Sequence, residues 1–152
     1  MDVTAWTVYD APRDRVAACA GDPSNAPSWF GKVASVRWRG DPVPAEGARV
    51  DLVSRFLGRE VVYAYRLVDL VPAERLVMRT EQGPFPVETT MTWWDEEPVE
   101  GRPRTGMSLR TAGRPRGMTT LASGATTLAM KRALRRDLER LRPLLTQTDD
   151  AG

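Results

Sequence analysis

From Gly47 to Arg110 the chain alternates apolar and polar residues with a period of two, segment after segment. Near the C-terminus the period becomes helical. The alternation predicts strands over Arg49–Leu57, Glu60–Val71, Arg75–Thr80, Val87–Asp95 and Arg104–Thr111. Val3–Tyr9, rich in Val, Thr, Trp and Tyr, adds another by composition, and Val33–Arg39 reads as the next strand after it. Gly58, Pro72-Ala73-Glu74 and Gln82–Pro86 read as turns, and Glu96–Pro103 as a loop with a mobile tip. Between the first two strands, Asp10 with Pro12 and Asp22 with Pro23 each offer a cap and a proline for a short helix. One such helix would end near Gly21 and the other would hold Ser24–Phe30.

The last helix is expected from about Gly117 to Leu145. It carries Leu121, Leu128, Leu134, Leu138, Leu141 and Leu145 on one stripe, and Arg132, Arg135, Arg136, Glu139 and Arg142 around the rest. Roughly 28 residues at ~1.5 Å each would span about 42 Å, enough to cross a small domain. Pro143 should end or fray its last turn. The fold class is therefore α+β: a curved antiparallel sheet whose open face is crossed by one long helix. Such a shape encloses a cavity.

Strand parity sorts the faces. Val61, Tyr63, Tyr65 and Leu67 share one side, as do Leu76 with Met78, Val87 with Thr89, Met91 and Trp93, and Met107 with Leu109 and Thr111. This set should face the helix. Glu88, Thr90, Thr92 and Arg110 should face water, as in an antiparallel sheet with one wet side. Glu88 with Arg79 or Arg110 reads as a cross-strand ion pair on that outer side. Trp94 shares the polar parity, so an exposed indole there would mark a self-association surface, and a homodimer is a candidate assembly.

Composition excludes more than it selects. The chain has 152 residues, 41% apolar and 28% charged, with a net charge of +2, which suits one globular domain over 1–146 with a disordered tail at 147–152. Twenty of the 22 basic residues are Arg, interspersed with acids as on a solvated face. Arg114-Pro115-Arg116 and Lys131-Arg132 lack interleaved aromatics, so no nucleic-acid partner is expected. There is no histidine. That removes Ser-His-Asp and Cys-His catalysis and His-ligated zinc. Cys19, the only cysteine, lies among small apolar residues and reads as a buried structural thiol. Neither a metal nor any other cofactor is expected. No signal peptide is apparent and no window approaches 18 apolar residues, so the expectation is a cytoplasmic protein without membrane insertion.

Three groups of residues carry the order further. They are Asp22-Pro23-Ser24-Asn25 before Trp29, Phe56-Leu57-Gly58-Arg59, and Gly83-Pro84-Phe85-Pro86, with Arg132–Leu138 closing the chain. With these the chain resembles the START-like, pollen-allergen-like helix-grip superfamily (SRPBCC), and within it the bacterial polyketide cyclase/dehydrase and lipid-transport family. The resemblance covers about Val3 to Leu145. It implies a helix-grip fold, with seven antiparallel strands wrapped around the C-terminal helix and a cavity between them. It also implies an apolar ligand such as a lipid or polyketide.

The candidate cavity wall is Trp29, Phe30, Phe56, Tyr63, Tyr65, Met78, Met91, Trp93, Met107, Met118 and Leu121. The same residues would serve equally as plain core. Arg55, Arg59, Thr89 and Thr111, with the two Tyr hydroxyls, are the candidate groups for orienting a ligand. The leading expectation is binding or carriage of a hydrophobic small molecule. One alternative is a cyclase or dehydratase that folds a reactive chain, working without metal or histidine. Its catalytic residues are not assignable, because Asp51 and Asp69 are the nearest carboxylates to the apolar faces. The other alternative is a protein-interaction module with a closed cavity.

Overall fold

The computed structural model describes residues 1–113 and 124–150, without the side chains of Phe56, 124–126 and 147–150. Seven strands form one antiparallel sheet: β1 (Asp2–Tyr9), β2 (Val33–Arg39), β3 (Arg49–Phe56), β4 (Arg59–Val71), β5 (Arg75–Gln82), β6 (Val87–Val99) and β7 (Arg102–Gly113). Their order is β1-β7-β6-β5-β4-β3-β2. Every neighbour is therefore a hairpin partner except β1, which lies beside β7 across the length of the chain, with Ala5 opposite Leu109. Register shifts between Val33 and Ser35, Ala64 and Tyr65, Leu67 and Asp69, and Glu96 and Val99 supply the bends that curve a sheet.

Three helical segments separate β1 from β2, and one long helix follows β7. Helix α1 is Arg13–Ala20, a 3-10 turn covers Pro23–Asn25, α2 is Ala26–Trp29, and α3 is Gly124–Asp150. The single helix expected over Ser24–Phe30 is thus split, with Pro23 and Pro27 each starting a new turn. The Asp22 cap is present, its Oδ1 accepting from Ser24 N at 2.9 Å. The Asp10 cap is not: Pro12 is the N-cap residue of α1 and makes no side-chain bond. Asp10 lies instead 3.4 Å from Arg104.

The expected loop over Glu96–Pro103 is largely strand. β6 and β7 run on to a tight turn at Glu100 and Gly101, with φ of 52° and 73°. Two residues with positive φ match the twist of a hairpin, so the strands stay paired. Helix α3 passes through Pro143 without stopping. The proline removes one bond to the exposed Glu139, whose carbonyl has water available, while Leu141 and Leu145 stay buried on either side.

The core lies between the inner face of the sheet and the helices. Leu67, Leu76, Met91, Met107 and Leu109 come from the strands, Val16 and Trp29 from α1 and α2, and Leu134, Leu138, Leu141 and Leu145 from α3. The expected parity holds along β5, β6 and β7. The helix stripe differs at one position: Leu128 is 46% exposed, and Met130 packs on the core instead. Counting back in steps of three and four from Leu134 reaches Met130. Leu128 is two residues off and points around the helix. The helix expected over 117–123 lies outside the described residues.

Candidate ligand-binding site

Helix α3 leans toward one side of the sheet, packing on β1, α1 and α2. The Tyr9 hydroxyl donates to Leu138 O, and Arg142 donates to Val8 O at 3.1 Å while lying over the Tyr9 ring. The inner faces of β3, β4 and β5 are thus farther from the helix. Two groups of side chains occupy that region.

The first group is closed core. Trp29, Phe30, Met78 and Met91 meet Leu52 and Leu76 around a cavity of only 10 Å³, about the volume of one water. Trp29 and Phe30 are 5.3 Å apart at 49°. Met107 is fully buried, and Trp93 is buried but lines a groove of about 460 Å³ with Leu70, Pro72 and Ala73. The indole N–H groups of Trp29 and Trp93 are buried without a hydrogen-bond partner.

The second group sits at the end of the sheet that holds the β3–β4 and β5–β6 turns. Tyr63 and Tyr65 are 6.4 Å apart, and Phe85 meets Tyr63 edge-on at 6.0 Å. Gly83 lets the β5–β6 segment pass close to Tyr63, since a Cβ there would come 3.1 Å from its ring. Thr89 pairs with Met78 on one side and Thr111 on the other, and of the two threonines it is Thr89 that reaches Tyr65. Thr89 Oγ1 is buried and makes no hydrogen bond of good geometry. It is nevertheless close enough to the Tyr65 hydroxyl to lower that phenol's pKa, while burial, the larger effect, pushes it up to about 12. Both hydroxyls are therefore neutral donors at physiological pH, set in an apolar wall. Tyr63 and Thr111 are half-buried, so this cluster reaches toward the surface.

The remaining candidates fall elsewhere. Arg55 and Arg59 are exposed at the β3–β4 tip, opposite Glu60 and Phe56 in register. Phe56 ends β3 in the same hairpin. Met118 and Leu121 lie outside the described residues. Asp51 and Asp69 are occupied by Arg39 at 3.1 Å and Arg75 at 2.7 Å. Glu88 pairs with Arg79, and Arg110 with Asp2. Among the described residues no group of three His, Cys, Asp or Glu could hold a metal ion. Cys19 is half-buried, and burial, then Asp22, pushes its thiol up.

Trp94 is not the exposed aromatic. Its ring lies over Gly106, where a Cβ would collide with the indole, and its Nε1 donates to Glu96 at 2.8 Å. The exposed partner is Trp6 of β1, 62% exposed and 6.4 Å from Trp94.

One buried carboxylate escaped the sequence reading. Asp137 of α3 bonds Arg140 and accepts from the backbone of Gly31, while Arg140 donates to Gly31 O at 3.0 Å. Burial raises its pKa despite both partners. Its only sequence signal was its place in the leucine stripe, one residue before Leu138.

A curved seven-stranded antiparallel sheet, with two short helices after its first strand and a long C-terminal helix, defines the helix-grip class. Residues 1–146 match the polyketide cyclase/dehydrase and lipid transport family, and the chain belongs to it. Solved structures show the same fold at low identity. A START superfamily protein from Mycobacterium smegmatis is 12% identical with a TM-score of 0.69, covering 97% of this chain and 98% of its own. TTHA0849 from Thermus thermophilus is 17% identical with a TM-score of 0.72, over 97% and 99%. Ara h 8.0201 is 10% identical with a TM-score of 0.64, over 97% and 98%. The sequence finds no match among curated proteins. Among the described residues no helix is long and apolar enough to cross a membrane.

Proposed function

We propose that the chain binds a hydrophobic small molecule, a lipid, polyketide or similar compound, against the inner face of the sheet at Tyr63, Tyr65, Phe85, Thr89 and Thr111. The observation that carries this reading is the unsatisfied Thr89 hydroxyl beside the Tyr65 phenol in an otherwise apolar wall. A buried hydroxyl without a partner costs free energy, on the order of 1–3 kcal/mol. A ligand oxygen placed there would recover it. Apolar burial would supply the rest, at ~25 cal/mol per Å². Family membership supports the same class of ligand. Asp51 and Asp69, the carboxylates nearest the apolar strand faces, are held by arginines.

The test is uptake of two matched probes, a long-chain alcohol and its parent alkane, by the native protein and by Thr89→Val and Tyr65→Phe. The reading expects the alcohol to lose several-fold in affinity in each variant, with the alkane unaffected. Equal affinities throughout would remove these hydroxyls from the site.

A further inference from the structure

We infer that the β3–β4 hairpin tip docks on an anionic lipid bilayer surface. β4 pairs with β5 only from Ala64 onward, opposite Gln82. From Arg59 to Val62 the hairpin is paired to β3 alone, and the β5–β6 segment packs on it only as far as Tyr63, so its tip projects about 13 Å beyond that contact at ~3.3 Å per residue. The turn itself is Leu57-Gly58, with φ of 51° and 76°. A leucine in the left-handed region is strained, where Asn or Gly would sit freely. This leucine is also 87% exposed. It therefore buries nothing in its own domain and makes its turn worse.

Exposed Arg55 and Arg59 flank it, and among the described residues neither has an ion pair. Glu60 is the one acid on the tip, leaving it net positive. A projecting leucine between two guanidinium groups matches the headgroup region of an anionic bilayer. The arginines meet phosphates, and the leucine reaches the acyl boundary. A folded protein partner fits less well, because a stable interface takes about 800 Å² per side and a two-residue tip presents far less. The bilayer imposes no such demand. The contact is a surface one, and among the described residues no helix is long and apolar enough to cross the bilayer.

The experiment is flotation of the full chain with vesicles of phosphatidylcholine alone and of phosphatidylcholine with phosphatidylglycerol, at low and high salt. The native chain should float with the anionic vesicles, weakly with the neutral ones, and less as salt rises. Leu57→Asn should cut anionic binding about tenfold, the order expected for losing one buried leucine. It should also raise the thermal midpoint, because asparagine accepts the left-handed turn. Arg55→Gln and Arg59→Gln should each cost about fivefold. No flotation of the native chain with anionic vesicles at low salt would overturn the proposal. So would undiminished flotation of Leu57→Asn. A concentration-dependent dimer abolished by Leu57→Asn, without vesicle binding, would assign the tip to a second copy and would also overturn it.

Discussion

The hydroxyl of Tyr9, at the end of β1, donates a hydrogen bond of 2.5 Å to the backbone carbonyl of Leu138 in α3. The contact ties the first strand to the last helix across 129 positions of the chain. Both groups are buried, and Arg142 covers the ring from the outside.

Removing that bond should show in stability. Tyr9→Phe leaves the Leu138 carbonyl with its helical partner, so the expected loss is about 1 kcal/mol. Thermal denaturation should register a drop of about 2–4 °C for a domain of this size.

The same phenol carries a pH signature. Burial holds the Tyr9 pKa far above the ordinary phenol range, and burial raises Tyr65 and Tyr63 too. A pKa higher in the folded than in the unfolded state means the stabilisation is complete below about pH 10 and is lost as pH rises beyond it. Denaturant unfolding at stepped alkaline pH should therefore show stability falling above pH 10. The slope should be shallower in Tyr9→Phe, with the remainder coming from the other two tyrosines.

Asp137 has the same sign, and burial is again the larger cause. Its carboxyl pKa is raised, so its contribution is greatest below the unfolded value of 3.8 and declines as pH rises through the folded one. Asp137→Asn keeps an acceptor for the Gly31 backbone and removes the buried charge. It should change neutral-pH stability little and flatten the profile above pH 3.8. Asp137→Leu strands the Gly31 N–H and should cost about 1–3 kcal/mol. Equal losses in both variants, by denaturant titration, would contradict the bond from the Gly31 backbone to Asp137.

Gly106 should accept no side chain. A Cβ would collide with the Trp94 indole, forcing that ring off the sheet. Gly106→Ala is expected to destabilise by about 1–3 kcal/mol. The displaced indole should shift Trp emission to the red.

The strands were legible because alternation over Val87–Trp93 or Tyr63–Leu67 has one physical meaning when one face is wet. The ends of elements were not. Glu96–Pro103 looks like a loop by composition, yet two positive-φ residues at Glu100 and Gly101 suffice to turn it, and pairing with β7 decides the rest. Pro143 reads as a stop, but buried Leu141 and Leu145 outweigh one missing bond. The candidate site was visible as a set of inward residues and not as a place. Parity puts Met91 and Tyr65 on one face alike. The packing of Trp29 and Phe30 beside Met91 separates a filled core there from the tyrosine–threonine cluster. Asp137 was hidden because helical periodicity marks a position as inward without saying that Gly31 is waiting there.

Native mass spectrometry of the freshly purified chain, beside its denatured mass, tests the binding of an apolar ligand most directly. The account predicts a discrete added mass of small-molecule size, lost on denaturation, or regained when the stripped chain is offered long-chain alcohols in the same instrument. A bare chain mass under both conditions would contradict it.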